Sequence, residues 1–219
     1  MTRPSNHDQS GNVRQMFDHH AEVYQQRFMD VTRYGEALQQ FCALLPEGPA
    51  RVLDVGCGPG NLSRYLLDIR PDLHVTGTDL APRMIDLARA NVPEGRFLVG
   101  DARYLADLEP PFDGVMLGFI LPYLDKAETR DLLSRVADLL RPSGTVYLST
   151  MEGGEELSGL KGASTGEGPS LYLQYYSAEE LIEGLTACGF ALHDERRSTY
   201  QDHHGDQVID LMLVARKVG

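Results

Sequence analysis

The stretch VLDVGCGPGN at residues 52–61 decides the fold of this chain. Its first four residues are typical of a short buried strand, and the Gly-x-Gly-x-Gly pattern that follows predicts a tight turn leading into a helix at Leu62. Glycine has no Cβ, so a ligand can approach the backbone of such a turn closely. In open parallel sheets, ligands bind at this carboxyl edge of the strands.

Strands and helices alternate after this stretch. We predict strands at 51–55, 74–79, 96–101, 112–118 and 145–150, separated by helices at 62–69, at 82–91 and from Asp125 onward. This alternation predicts a buried parallel sheet with right-handed crossovers. After a helix that begins at Ser177, residues 190–193 and 208–214 are expected to close the sheet as an antiparallel pair. The predicted fold is α/β, with a doubly wound, mostly parallel seven-stranded sheet.

Composition narrows the classes of protein that fit. The chain has 219 residues, 42% of them hydrophobic, and a formal net charge of −12. This acidity argues against a nucleic-acid partner, and no apolar run is long enough to predict a membrane span. The cysteines Cys42, Cys57 and Cys188 lie far apart without a CxxC spacing, so we expect no metal site and a cytoplasmic location.

The charges around the glycine turn indicate what kind of ligand it binds. Asp79 ends the second strand, 19 residues after Gly60, and a carboxylate there can accept both hydroxyls of an adenosine ribose. Asn61 stands where the dinucleotide fingerprint has its third glycine, and no Tyr-x-x-x-Lys pair occurs in the chain. Asp54, just before the turn, repels a pyrophosphate but suits a cation. A nucleoside that carries positive charge is therefore favoured over an NAD-type dinucleotide.

These segments together resemble the motifs of the class I S-adenosylmethionine (SAM) dependent methyltransferases, in the branch that acts on small molecules. The resemblance extends to TGTDLAPRMI at 76–85, VGDA at 99–102, FDGVMLGFILPYL at 112–124, LLRPSGTVYLS at 139–149 and FDHHAEVY at 17–24. It implies a Rossmann-like fold with SAM as the cofactor. The cofactor-binding residues that it implies are Tyr24, Asp54, Gly56, Cys57, Gly58, Gly60, Asp79, Leu80, Met84, Asp101, Ala102 and Leu117.

The resemblance also implies how the chain is divided into functional parts. We expect one domain over residues 1–219. Its parts are a flexible tail (1–12), N-terminal cap helices that act as a lid (13–50), the SAM-binding core (51–150), a glycine-rich lid (151–176), and a C-terminal helix with two strands (177–219).

Candidates for the acceptor side come from aromatic and basic side chains outside the core motifs. His20 and Tyr24 share the apolar face of the first predicted helix, and Tyr123 follows the fourth strand. We take His20 and Tyr123 as catalytic candidates, although a histidine or tyrosine at helical spacing is often a core residue. Candidate substrate-binding residues are Phe119, Tyr172, Tyr175 and Tyr176.

The expected activity is methyl transfer from SAM to an O, N or C atom of a small-molecule acceptor. A methylase of nucleic-acid bases is disfavoured because the segment after the fourth strand lacks an Asn/Asp-Pro-Pro-aromatic motif. Two alternatives stay open at this point: a non-catalytic SAM-binding module, and an NAD-dependent oxidoreductase. The sequence does not identify the acceptor or the oligomeric state.

Overall fold

The computed structural model of the chain describes residues 6–105, 108–162, 170–201 and 205–219. A seven-stranded sheet in the order β3-β2-β1-β4-β5-β9-β8 forms its centre. The strands are β1 (Arg51–Val55), β2 (His74–Asp79), β3 (Arg96–Val99), β4 (Phe112–Gly118), β5 (Leu140–Met151), β8 (Phe190–Gln201) and β9 (Gln207–Lys217). The five strands β3, β2, β1, β4 and β5 are parallel and pair in that order. Strand β9 runs antiparallel to both of its neighbours, β5 and β8. This architecture confirms the predicted fold class.

Helices cover both faces of the sheet. They are α1 (Asn6–His19), α2 (Ala21–Phe28), α3 (Gly35–Leu44), α4 (Asn61–Ile69), α5 (Pro82–Asn91), α6 (Lys126–Leu139) and α7 (Ala178–Ala187). Successive residues of a strand point to opposite faces, so Val52 packs in one core cluster with α3, α4 and α5, while Leu53 packs in the other with α6 and α7. Strand order reverses beside β1, which places the glycine turn at the switch point of the sheet.

Two predicted helix starts are confirmed in atomic detail. The Asp125 side chain accepts hydrogen bonds from the N–H groups of Ala127 and Glu128, and the Glu128 side chain accepts one from the Asp125 N–H. Ser177 and Glu180 form the same reciprocal arrangement at α7. Both capping boxes satisfy N–H groups that a helix start leaves without partners.

The N-terminal region differs from the prediction in two ways. Helix α1 begins at Asn6, so residues 6–12 are helical and not a tail. The Gln9 side chain, 4% exposed, explains this because its amide donates to the carbonyls of Tyr172 (2.9 Å) and Tyr123 (3.4 Å). The single predicted helix is also split in two, because the backbone of His20 (φ −106°, ψ 18°) leaves the helical region.

The glycine-rich segment after β5 contains more regular structure than predicted. Strands β6 (Gly159–Lys161) and β7 (Leu171–Leu173) form a small antiparallel sheet, preceded by a 3-10 helix at Glu155–Leu157. Gln174 fixes the segment to the core, since its N–H donates to the Pro122 carbonyl and its side chain to Ser158 Oγ. Residues 163–169 of this segment lie outside the described residues.

Candidate functional site

The glycine turn after β1 is held open by its neighbours in the sheet. The N–H groups of Gly56 and Cys57 both donate to the Thr78 carbonyl, at 2.7 and 2.9 Å, and the N–H of Gly58 donates to Asp79 Oδ2 at 2.9 Å. Gly56 has φ +71°, and a Cβ built on it would lie 2.9 Å from Ile120 Cδ1. The turn therefore requires glycine for both conformational and steric reasons.

Two carboxyl groups flank the turn, the half-buried Asp79 and the buried Asp54. Asp79 also accepts the N–H of Ala81 at 2.9 Å, and burial raises its pKa although these backbone N–H groups act in the opposite direction. Asp54 lies beneath the turn, 1% exposed; its Oδ2 accepts from Ser63 Oγ at 2.7 Å, while its Oδ1 has no partner among the described residues. Burial raises the pKa of Asp54 to about 7, and the nearby Asp79 carboxylate contributes in the same direction.

A cavity opens above the turn at the carboxyl ends of β1 to β4. It contains about 810 Å³ of unfilled space, counting its open mouth. Its walls include most of the cofactor-binding residues that the sequence predicts, together with Phe119 and Tyr123. The predicted cofactor-binding residues in these walls are Tyr24, Gly56, Gly58, Asp79, Leu80, Met84, Asp101 and Ala102. We call this space the first cavity.

Asp101 and Arg103 form an ion pair on the wall of the first cavity. The guanidinium of Arg103 contacts both carboxylate oxygens of Asp101, at distances from 2.5 to 3.2 Å. Partial burial acts to raise the pKa of Asp101, but the hydrogen bonds and charge of Arg103 outweigh it and hold the pKa below its usual value. Asp101 is therefore ionised at neutral pH.

Helices α1 and α2 roof the first cavity and are fixed to α5. Ser10, Val13 and Phe17 line the cavity from α1. The Arg83 N–H, in the first turn of α5, donates to Asp18 Oδ1 at 2.8 Å, and the Arg83 side chain pairs with Glu22. Asp18 thus supplies the cap that Ala81, the residue preceding α5, does not provide.

A second cavity adjoins the first between α1, α2 and the β6–β7 hairpin, with about 850 Å³ of unfilled space. Phe17, Tyr24 and Tyr123 line both cavities and form a shared aromatic wall, in which Phe17 meets the other two rings edge to face at centroid distances of 5.6 and 5.1 Å. Burial raises the pKa of Tyr123 to about 12 and also raises that of Tyr24. Both hydroxyls keep their protons at neutral pH, so they can donate hydrogen bonds but not act as bases.

The remaining predicted residues lie elsewhere. His20 lines the second cavity only. Leu117 is a fully buried core residue, and Cys57 is also buried. Gly60 is the N-cap residue of α4. Three of the predicted substrate-binding residues, Tyr172, Tyr175 and Tyr176, are not among the residues that line either cavity. The Tyr176 hydroxyl is instead hydrogen-bonded inside the core, to Thr129 Oγ1 and the Leu124 carbonyl.

Several wall residues were not among those predicted from the sequence. In the first cavity they are Ser10, Val13, Phe17, Gly100, Arg103, Gly118, Ile120 and Leu124. Arg103 directly follows the predicted Asp101-Ala102 pair, which is the one sequence signal that pointed to it. Among the described residues no group of His, Cys, Asp or Glu side chains is arranged to hold a metal ion. In the same part of the chain, no helix combines the length and apolar character that crossing a membrane requires.

Comparison with known proteins gives consistent results. A family model described as a methyltransferase domain matches residues 52–144. A ubiquinone biosynthesis O-methyltransferase of Xylella fastidiosa is 31% identical over 172 residues, which cover 72% of this chain and 67% of that protein. A demethylmenaquinone methyltransferase of Thermotoga maritima is 29% identical over 105 residues, and the chain spans 45% of its length.

One solved structure matches the entire chain. The Burkholderia thailandensis 1,6-didemethyltoxoflavin-N1-methyltransferase, crystallised with 1,6-didemethyltoxoflavin and S-adenosylhomocysteine (SAH), superposes with a TM-score of 0.76 at 26% identity. The match covers 100% of this chain and 93% of that structure. The similarity therefore includes the N-terminal helices and the segment after β5, which lie outside residues 52–144.

Proposed function

Because the chain belongs to the class I SAM-dependent methyltransferases, we propose that it transfers a methyl group from SAM to an O, N or C atom of a small molecule. The observation that carries the proposal is the pair of adjoining cavities, one above the glycine turn and one beside it, with a shared aromatic wall. Such an arrangement can hold donor and acceptor in contact. We also propose that the enzyme is cytoplasmic and that it does not act on nucleic acid, in keeping with its acidic composition.

The residues of the first cavity fit SAM in shape and charge. The glycine turn leaves room against the backbone, and Asp79 lies where the ribose hydroxyls of a nucleoside bind in this class of sheet. The buried Asp54 carboxyl, with one oxygen unpartnered, supplies negative potential below the turn. Bound there, SAM would supply a methyl group that the positive charge on sulfur already activates.

The work left to the protein is alignment and exclusion of water. The roof of α1 and α2 covers the cavity, and Phe17, Tyr24 and Tyr123 surround the region where the two cavities meet. Holding two reactants in line contributes most of the rate enhancement available to such a reaction. The tyrosine hydroxyls are protonated donors, so we assign any proton removal from the acceptor to His20, the imidazole that lines the second cavity.

Calorimetric titration with SAM, SAH and NADH tests the cofactor assignment. We expect SAM and SAH to bind and NADH not to bind. A mass-spectrometric screen for a gain of one methyl group in a library of small phenols, amines and carboxylic acids then tests turnover. Tight SAM binding without transfer to any acceptor would favour a non-catalytic SAM-binding module, and binding of NADH alone would contradict the proposal.

A further inference from the structure

The second cavity has a wall whose charge is opposite to that of the chain as a whole. Arg27 and Lys161 line it, as does His20, and no carboxylate lines it among the residues that the structure describes. The chain carries 32 acidic side chains against 20 Lys and Arg, and only three of these are lysines. A described wall with two cations and no acid is therefore unexpected on a surface of this composition.

These two cations are not engaged in ion pairs with described residues. Other basic side chains of the chain are: Lys126 pairs with Glu155 and Glu180, and Arg197 with Glu152 and Glu195. Arg27 and Lys161 instead stand exposed at the edge of the cavity, on α2 and on β6. Their charge is thus available to a ligand.

The rest of the second cavity is apolar. Met16, Val23 and Phe28 line it from the N-terminal helices, and Leu171 and Leu173 line it from β7. Val23 and Phe28 are 38% and 48% exposed, so apolar surface of this cavity is accessible to a ligand. The cavity matches a molecule with an apolar body and one anionic end.

We propose that the acceptor is a small carboxylic acid whose carboxylate binds Arg27 and Lys161, and whose methyl-accepting atom lies at the opposite end. The orientation follows from the walls: Arg27 and Lys161 line the second cavity alone, whereas Phe17, Tyr24 and Tyr123 face both cavities. The carboxylate is then the anchor, and the atom that receives the methyl group lies against the shared aromatic wall. This inference rests on the proposed function, because it treats the second cavity as the acceptor site.

The test measures equilibrium binding to the full chain saturated with SAH, so that no turnover is needed. The probes are 3-phenylpropionate and octanoate, their carboxamides, and 2-phenylethyl phosphate, which keeps the ring but replaces the carboxylate. We expect the two carboxylates to bind roughly tenfold more tightly than their carboxamides. Tighter binding of the phosphate than of 3-phenylpropionate would overturn the choice of carboxylate, and so would the failure of both carboxylates to bind below about 10 mM.

Substitutions locate the effect. Arg27→Gln and Lys161→Gln should each weaken carboxylate binding about threefold, and the double variant about tenfold, because exposed charges act individually through modest energies. Neither should change carboxamide binding. Arg135→Gln is the matched control, since Arg135 is exposed on α6 and lines neither cavity. Equal carboxylate affinity in the double variant and in Arg135→Gln would overturn the inference.

The proposed function has its own readout in the same experiment. SAH affinity is measured first, and we expect it to be the same in the wild-type chain and in all three single variants. Failure of the wild-type chain to bind SAH would contradict the proposed function. Normal SAH binding without a preference for carboxylates would contradict only this inference.

Discussion

The two cavities share three aromatic side chains but differ in charge and in how they are built. The first carries Asp79, Asp101 and Arg103, two acids and one base, so its formal charge is −1. The described wall of the second carries Arg27 and Lys161, whose formal charges sum to +2. A cationic cofactor and an anionic acceptor would each favour one cavity and be repelled by the other. Under the proposed function, charge would thereby direct each ligand to its own cavity before alignment begins.

The construction of the walls differs as well. The first cavity is formed by backbone that the parallel sheet fixes through hydrogen bonds, such as those from Gly56 and Cys57 to Thr78. The second is formed mainly by the N-terminal helices α1 and α2 and by the β6–β7 hairpin, which lie outside the parallel sheet. We therefore expect substitutions in the first cavity to have larger and more selective effects. Four experiments test this contrast.

The largest effect is expected from Gly56→Val. A β-branched side chain at φ +71° is strained, and its Cβ would lie 2.9 Å from Ile120 Cδ1. SAH affinity, measured by calorimetry, should fall by at least about 100-fold. Binding of 3-phenylpropionate should stay within about twofold of wild type if the cavities are energetically separate.

Gly48→Val is the matched control for this substitution. Gly48 has a similar φ of +76°, but a Cβ there would meet nothing within 4 Å, and it lines neither cavity. Valine at position 48 introduces the backbone strain but no steric clash, so SAH affinity should be unchanged. A comparable loss of SAH affinity in both variants would mean that global destabilisation, and not the turn, causes the effect.

Asp79→Ala should have the second largest effect. It removes a carboxylate from the first cavity and leaves the N–H groups of Gly58 and Ala81 without their acceptor. We expect SAM binding to weaken by about 1–3 kcal/mol, measured by calorimetry. Asp68→Ala, on the exposed side of α4, is the control and should bind SAM normally. Unchanged SAM affinity in Asp79→Ala would contradict the assignment of the first cavity.

Tyr24→Ala tests the shared wall. The Tyr24 ring contacts Phe17 at 5.6 Å and Phe28 at 4.6 Å between centroids, so its removal opens both cavities. SAH and 3-phenylpropionate should both bind about tenfold more weakly, because each loses an aromatic surface. Tyr24→Phe keeps the ring and should retain most of both affinities. An effect of Tyr24→Ala on one ligand alone would show that the wall is not shared.

The smallest effect is a pH dependence. The pKa of Asp54 is raised to about 7 by burial, and positive charge in the first cavity favours its ionised form. The bound complex therefore holds fewer protons than the free protein, so affinity for SAM should rise with pH. We expect an increase of about threefold between pH 6 and pH 8, and a weaker one for SAH, which lacks the sulfonium charge. Asp54→Asn should make the SAM profile flat, and an unchanged slope in that variant would exclude Asp54 as the cause.

The contrast between the cavities also explains which features the sequence could predict. The bounds of β1, β2 and β4 and the residues around the glycine turn follow from local patterns, because each strand and its turn are contiguous in the chain. The early start of α1 depends on Gln9, whose hydrogen-bond acceptors are 114 and 163 residues away. The second cavity likewise brings together Arg27 of α2 and Lys161 of β6, which are far apart in the chain. Neither distant contact leaves a periodic signal.

The β6–β7 hairpin was missed for a different reason. Its strands have three residues each, and Gly159 and Gly162 flank Leu160 and Lys161, which are exposed. Such short strands carry too few alternating positions to show a period. What stabilises the described part of the segment is contact with the core, through Gln174 and Pro122.

The hydrogen bond by which Asp18 of α1 caps α5 offers a way to detect movement of the roof over the first cavity. If α1 moved away to admit or release a ligand, the Arg83 N–H would lose its acceptor and become free to exchange its proton with water. The Glu22–Arg83 pair holds α2, so it would separate only if α2 moved away as well. The hydrogen–deuterium exchange rate of the Arg83 backbone amide, compared with and without SAH, would therefore measure opening of the roof by α1.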